Sequence, residues 1–130
     1  MADRITVRTT ARCTLVDITD QLSGYVRDRG LTQGRITLWS MHTSCALTVN
    51  EGYDPDVATD ITTFLGHLVP REANFRHAEG NSDSHIKTSL FGPGLTLLVE
   101  DGDLLLGRWQ RVYLAEFDGP RTREIAVLPG

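Results

Sequence analysis

The chain has four histidines, and His42, His77 and His85 sit where imidazoles can do chemistry. Each falls at an expected strand end or in irregular chain, beside small polar residues. His42 leads His42-Thr43-Ser44, His77 precedes Glu79-Gly80, and His85 follows Asp83-Ser84 and precedes Lys87. His67, between Gly66 and Leu68, reads as one position on a solvated helix face. Three neutral imidazoles with one open position would hold a zinc-like divalent metal and activate its water. Protonated rings would instead bind phosphate, and rings near neutrality would act as acid and base. There is no His-Glu-x-x-His and no histidine pair at i, i+4. Spacing alone therefore leaves open both a shared site and unrelated histidines.

Glu51 follows an expected strand and lies near His42 in sequence, while Glu79 and Asp83 share a polar stretch with His77 and His85. A carboxylate at any of these positions can orient an imidazole by accepting its second N–H. Asp54 reads as a helix N-cap, and Asp56 and Asp60 as carboxylates favoured by the helix dipole. Glu116 reads as part of a solvated strand face. Lys87, two residues after His85 and followed by Thr88-Ser89, reads as an anion site at a helix start. Arg108, Arg111, Arg121 and Arg123 read as solvating charges on strands and turns. Thr43, Ser44 and Cys45 put hydroxyls and a thiol beside His42, but sequence neighbours do not make a triad. Neither a Gly-x-Ser-x-Gly elbow nor a Gly-x-Gly-x-x-Gly turn is present.

Hydrophobic period and turn chemistry predict the elements that must hold these groups. Ile5 to Ala11 reads as a strand, with Cys13 to Ile18 continuing it. Asp17 or Thr19 caps a helix whose stripe is Ile18, Leu22 and Val26, stopped by Gly30. Arg35 to Met41 is a strand with Ile36, Leu38 and Ser40 on one face, and Ala46 to Val49 is another. Asp54-Pro55 opens a second helix with Val57, Ile61, Leu65 and Leu68 as its buried stripe, ended by Pro70. Arg71 to Ser84 follows neither period, and a loop that long is more often functional than idle. A short helical turn is expected from Ile86 to Leu90. Beyond Gly92-Pro93-Gly94 the chain reads as strands Leu95 to Val99, Asp103 to Leu106, Trp109 to Phe117 and Arg123 to Leu128, with Asp101-Gly102 as a tight hairpin. The expectation is one α+β domain over residues 1–130 with two main helices.

A chain of 130 residues supports a hydrophobic core without disulfides or a structural metal. Thirteen basic against 17 acidic side chains give a net charge of −4, which argues against a partner that wraps nucleic acid by counterion release. Cys13 and Cys45 form no Cys-x-x-Cys pair and read as reduced thiols of a cytoplasmic protein. Met1-Ala2-Asp3-Arg4 does not begin a signal peptide, and no apolar run is long enough for a membrane span.

The segment from His42-Thr43-Ser44-Cys45 through Asn50-Glu51, followed by Asp54-Pro55-Asp56-Val57 and Asp60, resembles the signature of the YjbQ-like family, the secondary thiamine-phosphate synthase family. The second half agrees: Leu68-Val69-Pro70, His77, Glu79-Gly80, His85-Ile86-Lys87 with Ser89, Leu106-Gly107, Trp109-Gln110, Leu114 and Glu116. The resemblance implies a compact α+β domain with a β-sandwich-like mixed or antiparallel core, assembled as a homotrimer. It implies that His42, His77 and His85 are the family's histidines, serving as catalytic groups or as ligands of a zinc-like or magnesium ion. It also implies a small phosphorylated metabolite as partner, and a weak transfer of a pyrimidine methyl group from its pyrophosphate to a thiazole phosphate. On this reading Glu51, Glu79 and Asp83 orient the histidines, and Lys87 and Ser89, with Gly80, contact phosphate. The chain departs from the family pattern in a shorter stretch between Gly80 and His85, and in Arg108 and Arg111 where small residues flank the Trp-Gln pair.

Overall fold

The computed structural model describes all 130 residues. Eight strands and three helices run in the order β1 (Asp3–Arg8), β2 (Thr14–Asp17), α1 (Thr19–Asp28), β3 (Gly34–Ser40), β4 (Cys45–Glu51), α2 (Pro55–Leu68), α3 (Ser82–Phe91), β5 (Gly94–Glu100), β6 (Asp103–Leu104), β7 (Gln110–Glu116) and β8 (Thr122–Pro129). Two antiparallel sheets result, β1-β8-β3-β5-β6 and β2-β7-β4. The α+β reading holds, as one compact domain with curled antiparallel sheets.

Period-2 alternation builds the core. Ile36 and Leu38 of β3, Leu97 and Val99 of β5, and Ile125 and Val127 of β8 turn inward from the larger sheet. Cys45 and Leu47 of β4 and Val112 and Leu114 of β7 meet them from the smaller one. The α1 stripe of Ile18, Leu22 and Val26 joins the same core, and Gly30 follows the helix at φ +64°. The Asp101-Gly102 hairpin has φ of +51° and +80°, the pair of positive values a two-residue turn needs to match the strand twist.

Several expectations change. Cys13 to Ile18 does not continue β1: the chain bends after Arg8, and β2 crosses to the smaller sheet, where it pairs with β7. The α2 stripe is only partly buried. Leu65 is buried against Ala46, Ala115 and Phe117 of the small sheet's outer side, whereas Leu68 and Phe64 are exposed. A third helix of 10 residues replaces the short turn expected near Ile86. Its buried residues are Ser82, Asp83, Ser84, Lys87 and Thr88, so no apolar stripe announces it.

Asp54 caps α2 as predicted, its carboxylate accepting from Asp56 N at 2.9 Å with Pro55 at the first helical position. Asp54→Ala removes that acceptor and is expected to cost about 1 kcal/mol of stability in urea unfolding, with the native spectrum unchanged. No helix is long and apolar enough to cross a membrane.

Candidate functional site: a histidine cleft at the end of the small sheet

His42, His77 and His85 come from three separate pieces of chain and line one open cleft of about 740 Å³, with Thr43, Thr88, Ser89, Gly92 and Pro93. His42 and Thr43 lie in the turn between β3 and β4, His77 in the irregular stretch before α3, and His85 and Ser89 on α3 itself. An adjoining pocket of about 360 Å³ shares His42, Thr43 and His85 and adds Glu79, Asn81, Asp118 and Arg121.

Hydrogen bonds orient two of the rings. His85 Nδ1 is 2.9 Å from Thr43 O, and a carbonyl only accepts, so Nδ1 carries the proton and Nε2 keeps its lone pair. Glu124 N donates to His42 Nε2 at 2.9 Å, so in His42 the lone pair is used and Nδ1 carries the proton. The two rings thus share one tautomer but are mounted end for end. His85 offers a free base or ligand nitrogen, and His42 keeps an N–H. His77 meets His85 edge to face at 5.4 Å between centroids. Its Nε2 is 3.8 Å from Glu79 Oε2, with both side chains well exposed, so that attraction is weakly held.

No group of three or more His, Cys, Asp or Glu side chains is placed to hold a metal ion. At His42 the Glu124 amide occupies Nε2, so in the neutral ring neither nitrogen has a free lone pair. Burial, reinforced by the nearby Arg123 guanidinium, pushes the His42 imidazole below its ordinary 6.5. An NMR titration is expected to give His42 a midpoint below that value, since a proton on Nε2 breaks the Glu124 bond. A midpoint above it would show the ring turned toward a carboxylate.

Of the other predicted site residues, Glu51, Asp83 and Lys87 are engaged outside the cleft. Glu51 stands at the far end of β4 from His42, and its Oε2 accepts from Tyr53 N at 3.1 Å and Asp54 N at 2.9 Å. It shapes the turn into α2 and orients no histidine. Asp83 is fully buried and bonded to Arg12 by two parallel contacts of 3.0 Å, not to an imidazole. Lys87 is 3% exposed and donates to Asp83 at 3.1 Å, which leaves it unavailable to phosphate. Ser89 lines the cleft, although its hydroxyl donates back to His85 O at 2.9 Å. Gly80, at φ +81°, turns the chain into α3, and its carbonyl accepts from Arg71 Nε at 3.2 Å.

Glu116 and Arg123 correct the solvated-strand reading most sharply. They are 0% and 2% exposed and bonded to each other through Nε at 2.9 Å and through Nη2. Burial pushes the Glu116 carboxyl up, but bonds from Arg123, Thr9 and the Asp118 amide outweigh it and hold the group below its ordinary range. A signal for this was present. Glu116 follows Val112 and Leu114 at two-residue steps, and Arg123 precedes Ile125 and Val127 likewise, so alternation puts both on the apolar faces.

The family profile described as UPF0047 protein YjbQ-like matches residues 3–128. The UPF0047 protein MJ1081 of Methanocaldococcus jannaschii is 46% identical over 121 residues, covering 93% of this chain and 88% of that protein. UPF0047 protein YugU of Bacillus subtilis is 39% identical over 124 residues, covering 95% and 94%. Among solved structures, a YjbQ/UPF0047 protein from Clostridium acetobutylicum superposes with a TM-score of 0.95 at 37% identity over 98% of this chain and 99% of that one. The conserved hypothetical protein TT1486 of Thermus thermophilus gives 0.92 at 45% identity over 98% and 99%. With sequence and fold agreeing from end to end, the chain belongs to the YjbQ-like (UPF0047) family.

Proposed function

We propose that the histidine cleft is the active site of an enzyme acting on a small phosphorylated metabolite, and that transfer of a pyrimidine methyl group from its pyrophosphate to a thiazole phosphate is the first reaction to test. The observation that carries this reading is the pairing of two rings in one cleft: His85, whose Nε2 keeps its lone pair, and His42, whose Nδ1 keeps its proton, both line it. A lone pair and a donor on one cavity wall can take a proton at one atom and meet developing negative charge at another. In the transfer, the carbon–oxygen bond to pyrophosphate breaks, the thiazole nitrogen bonds to that carbon with its own lone pair, and pyrophosphate leaves with the electron pair, its freed oxygen taking a proton that His85 Nε2 has first picked up from water. The pyrophosphate charge would be met by the His42 N–H, the Thr43 hydroxyl and Arg121. Arg121, rather than the buried Lys87, would serve as the cation: it lines the adjoining pocket and stays half exposed while paired with Asp118 at 3.1 Å.

The test is pyrophosphate release from the two substrates at high enzyme concentration, with product formation followed in parallel. Turnover that needs both substrates supports the reading; intact protein without turnover removes it. Saturable phosphate-ester binding without turnover would favour a second reading, a binding module using the same donors. Metal content of protein purified without tag or chelator tests the divalent-ion reading, for which His77 and His85 are the available nitrogens.

We further infer a homotrimer in the cytoplasm. Exposed Phe64, Leu68, Tyr53 and Trp109 supply apolar surface for contact between copies, and both cysteines are free thiols. Light scattering that returns a monomer would remove the trimer.

A further inference from the structure

The two oriented rings are set from behind the cleft by a buried pair, Glu116 and Arg123, of which Arg123 reaches only the wall of the adjoining pocket. Glu116 stands on β7 and Arg123 on β8, one from each sheet, facing each other across the interior. The Glu116 carboxylate is fully engaged: it accepts from Arg123 through Nε and Nη2, from Thr9 Oγ1 at 2.6 Å and from Asp118 N at 3.1 Å. Held there, Arg123 extends Nη2 to the turn between β3 and β4, 2.9 Å from Ser44 Oγ and 3.4 Å from Ser44 O. One residue earlier, Thr43 O is the acceptor for His85 Nδ1. One residue after Arg123, the Glu124 amide is the donor to His42 Nε2. Both constraints on the imidazoles therefore originate within one residue of a single guanidinium contact.

We propose that Arg123 is a positioning residue of the histidine cleft: anchored by Glu116, it fixes the His42–Ser44 turn and the Glu124 amide relative to each other, and so sets which nitrogen of His42 and of His85 faces the cleft. The inference rests on the cleft being the site of action, but its content is geometric. A planar fork is required, because one side chain must bond a carboxylate through two nitrogens and still reach a hydroxyl. A lysine supplies a point charge and cannot span both. Without the span, the Thr43 carbonyl loses its fixed place opposite His85, and each ring samples its other tautomer.

The experiment is two-bond ¹H–¹⁵N spectroscopy of the imidazoles in ¹⁵N-labelled protein, at a pH where the rings are neutral. The unsubstituted protein is expected to show a protonated Nδ1 and a lone-pair Nε2 for both His42 and His85. Arg123→Lys is expected to shift His85 Nδ1 downfield and Nε2 upfield as the Nε2–H tautomer gains population, with His42 following. Ser44→Ala removes one bond of the clamp and is expected to move His85 the same way by a smaller amount. His67, on α2 and outside the cleft, is the internal reference. Unchanged His42 and His85 tautomers in folded Arg123→Lys would overturn the proposal. Should that variant lose its near-UV dichroism, an unchanged His85 in Ser44→Ala would overturn it alone. These spectra need no substrate, so absence of turnover would remove the enzymatic reading while leaving this one standing.

Discussion

Asp83→Ala is expected to lower folding stability by about 3–5 kcal/mol, the range for removing one partner of a buried charge pair. Asp83 has no exposed side-chain surface, and it receives Arg12 through two contacts of 3.0 Å and Lys87 through one of 3.1 Å. Lys87 is nearly as buried, so deleting the carboxylate strands an ammonium with no counter-charge. Arg12 keeps a quarter of its side chain in solvent and tolerates the loss better. Lys87→Met should cost less than Asp83→Ala, because it leaves the bidentate Arg12–Asp83 pair intact. The pH dependence carries a sign. Burial pushes the Asp83 carboxyl up, but the Arg12 and Lys87 bonds outweigh that and hold it below its ordinary 3.8. The unfolded chain therefore takes up the proton first as the pH falls. The stabilisation is complete above the unfolded value and lost as the pH drops through the folded one. Urea unfolding at a series of pH values should show the gap between the unsubstituted protein and Asp83→Ala constant near neutrality and narrowing below about pH 4. A gap that persists undiminished in acid would mean that packing, not charge, holds this corner.

The elements with apolar periods were legible from the residues. In β3, Ile36, Leu38 and Ser40 face inward as alternation requires, and Asp54-Pro55 starts α2 where capping chemistry places it. Helix α3 was not legible, because its buried side is Ser82, Asp83, Ser84, Lys87 and Thr88. Its interior face is satisfied by ions and hydroxyls, so hydropathy reads it as loop. The site divides along the same line. Residue type singled out the three histidines, and the fold brings them to one cleft. Proximity in sequence misled for Glu51, since β4 runs the length of the sheet between it and His42. Taken one by one, Asp83 and Lys87 look like site groups, whereas their i, i+4 spacing makes them each other's partner. The carbonyl of Thr43 and the amide of Glu124 could not be read at all, because every residue has those groups and only the fold aims them.

Turnover in the cleft is expected to depend on His85 much more than on His42. His85→Ala deletes the one oriented imidazole nitrogen with an unused lone pair, and a loss of about 100- to 10,000-fold in kcat is expected for a general acid–base group. His85→Asn should be nearly as poor, because its amide can still bond Thr43 O but cannot pick up a proton and pass it to the leaving pyrophosphate. His42→Gln should lose less than about tenfold, since a side-chain amide can accept from Glu124 N and still offer an N–H to the cleft. The comparison of single-turnover rates at saturating substrate, with binding measured separately, reads this ordering directly. Equal losses in the His42 and His85 variants would contradict the assignment of donor and base. Joined to the loss of a bound divalent ion in both, they would mean that the Glu124–His42 bond opens on loading and that all three imidazoles turn inward as ligands.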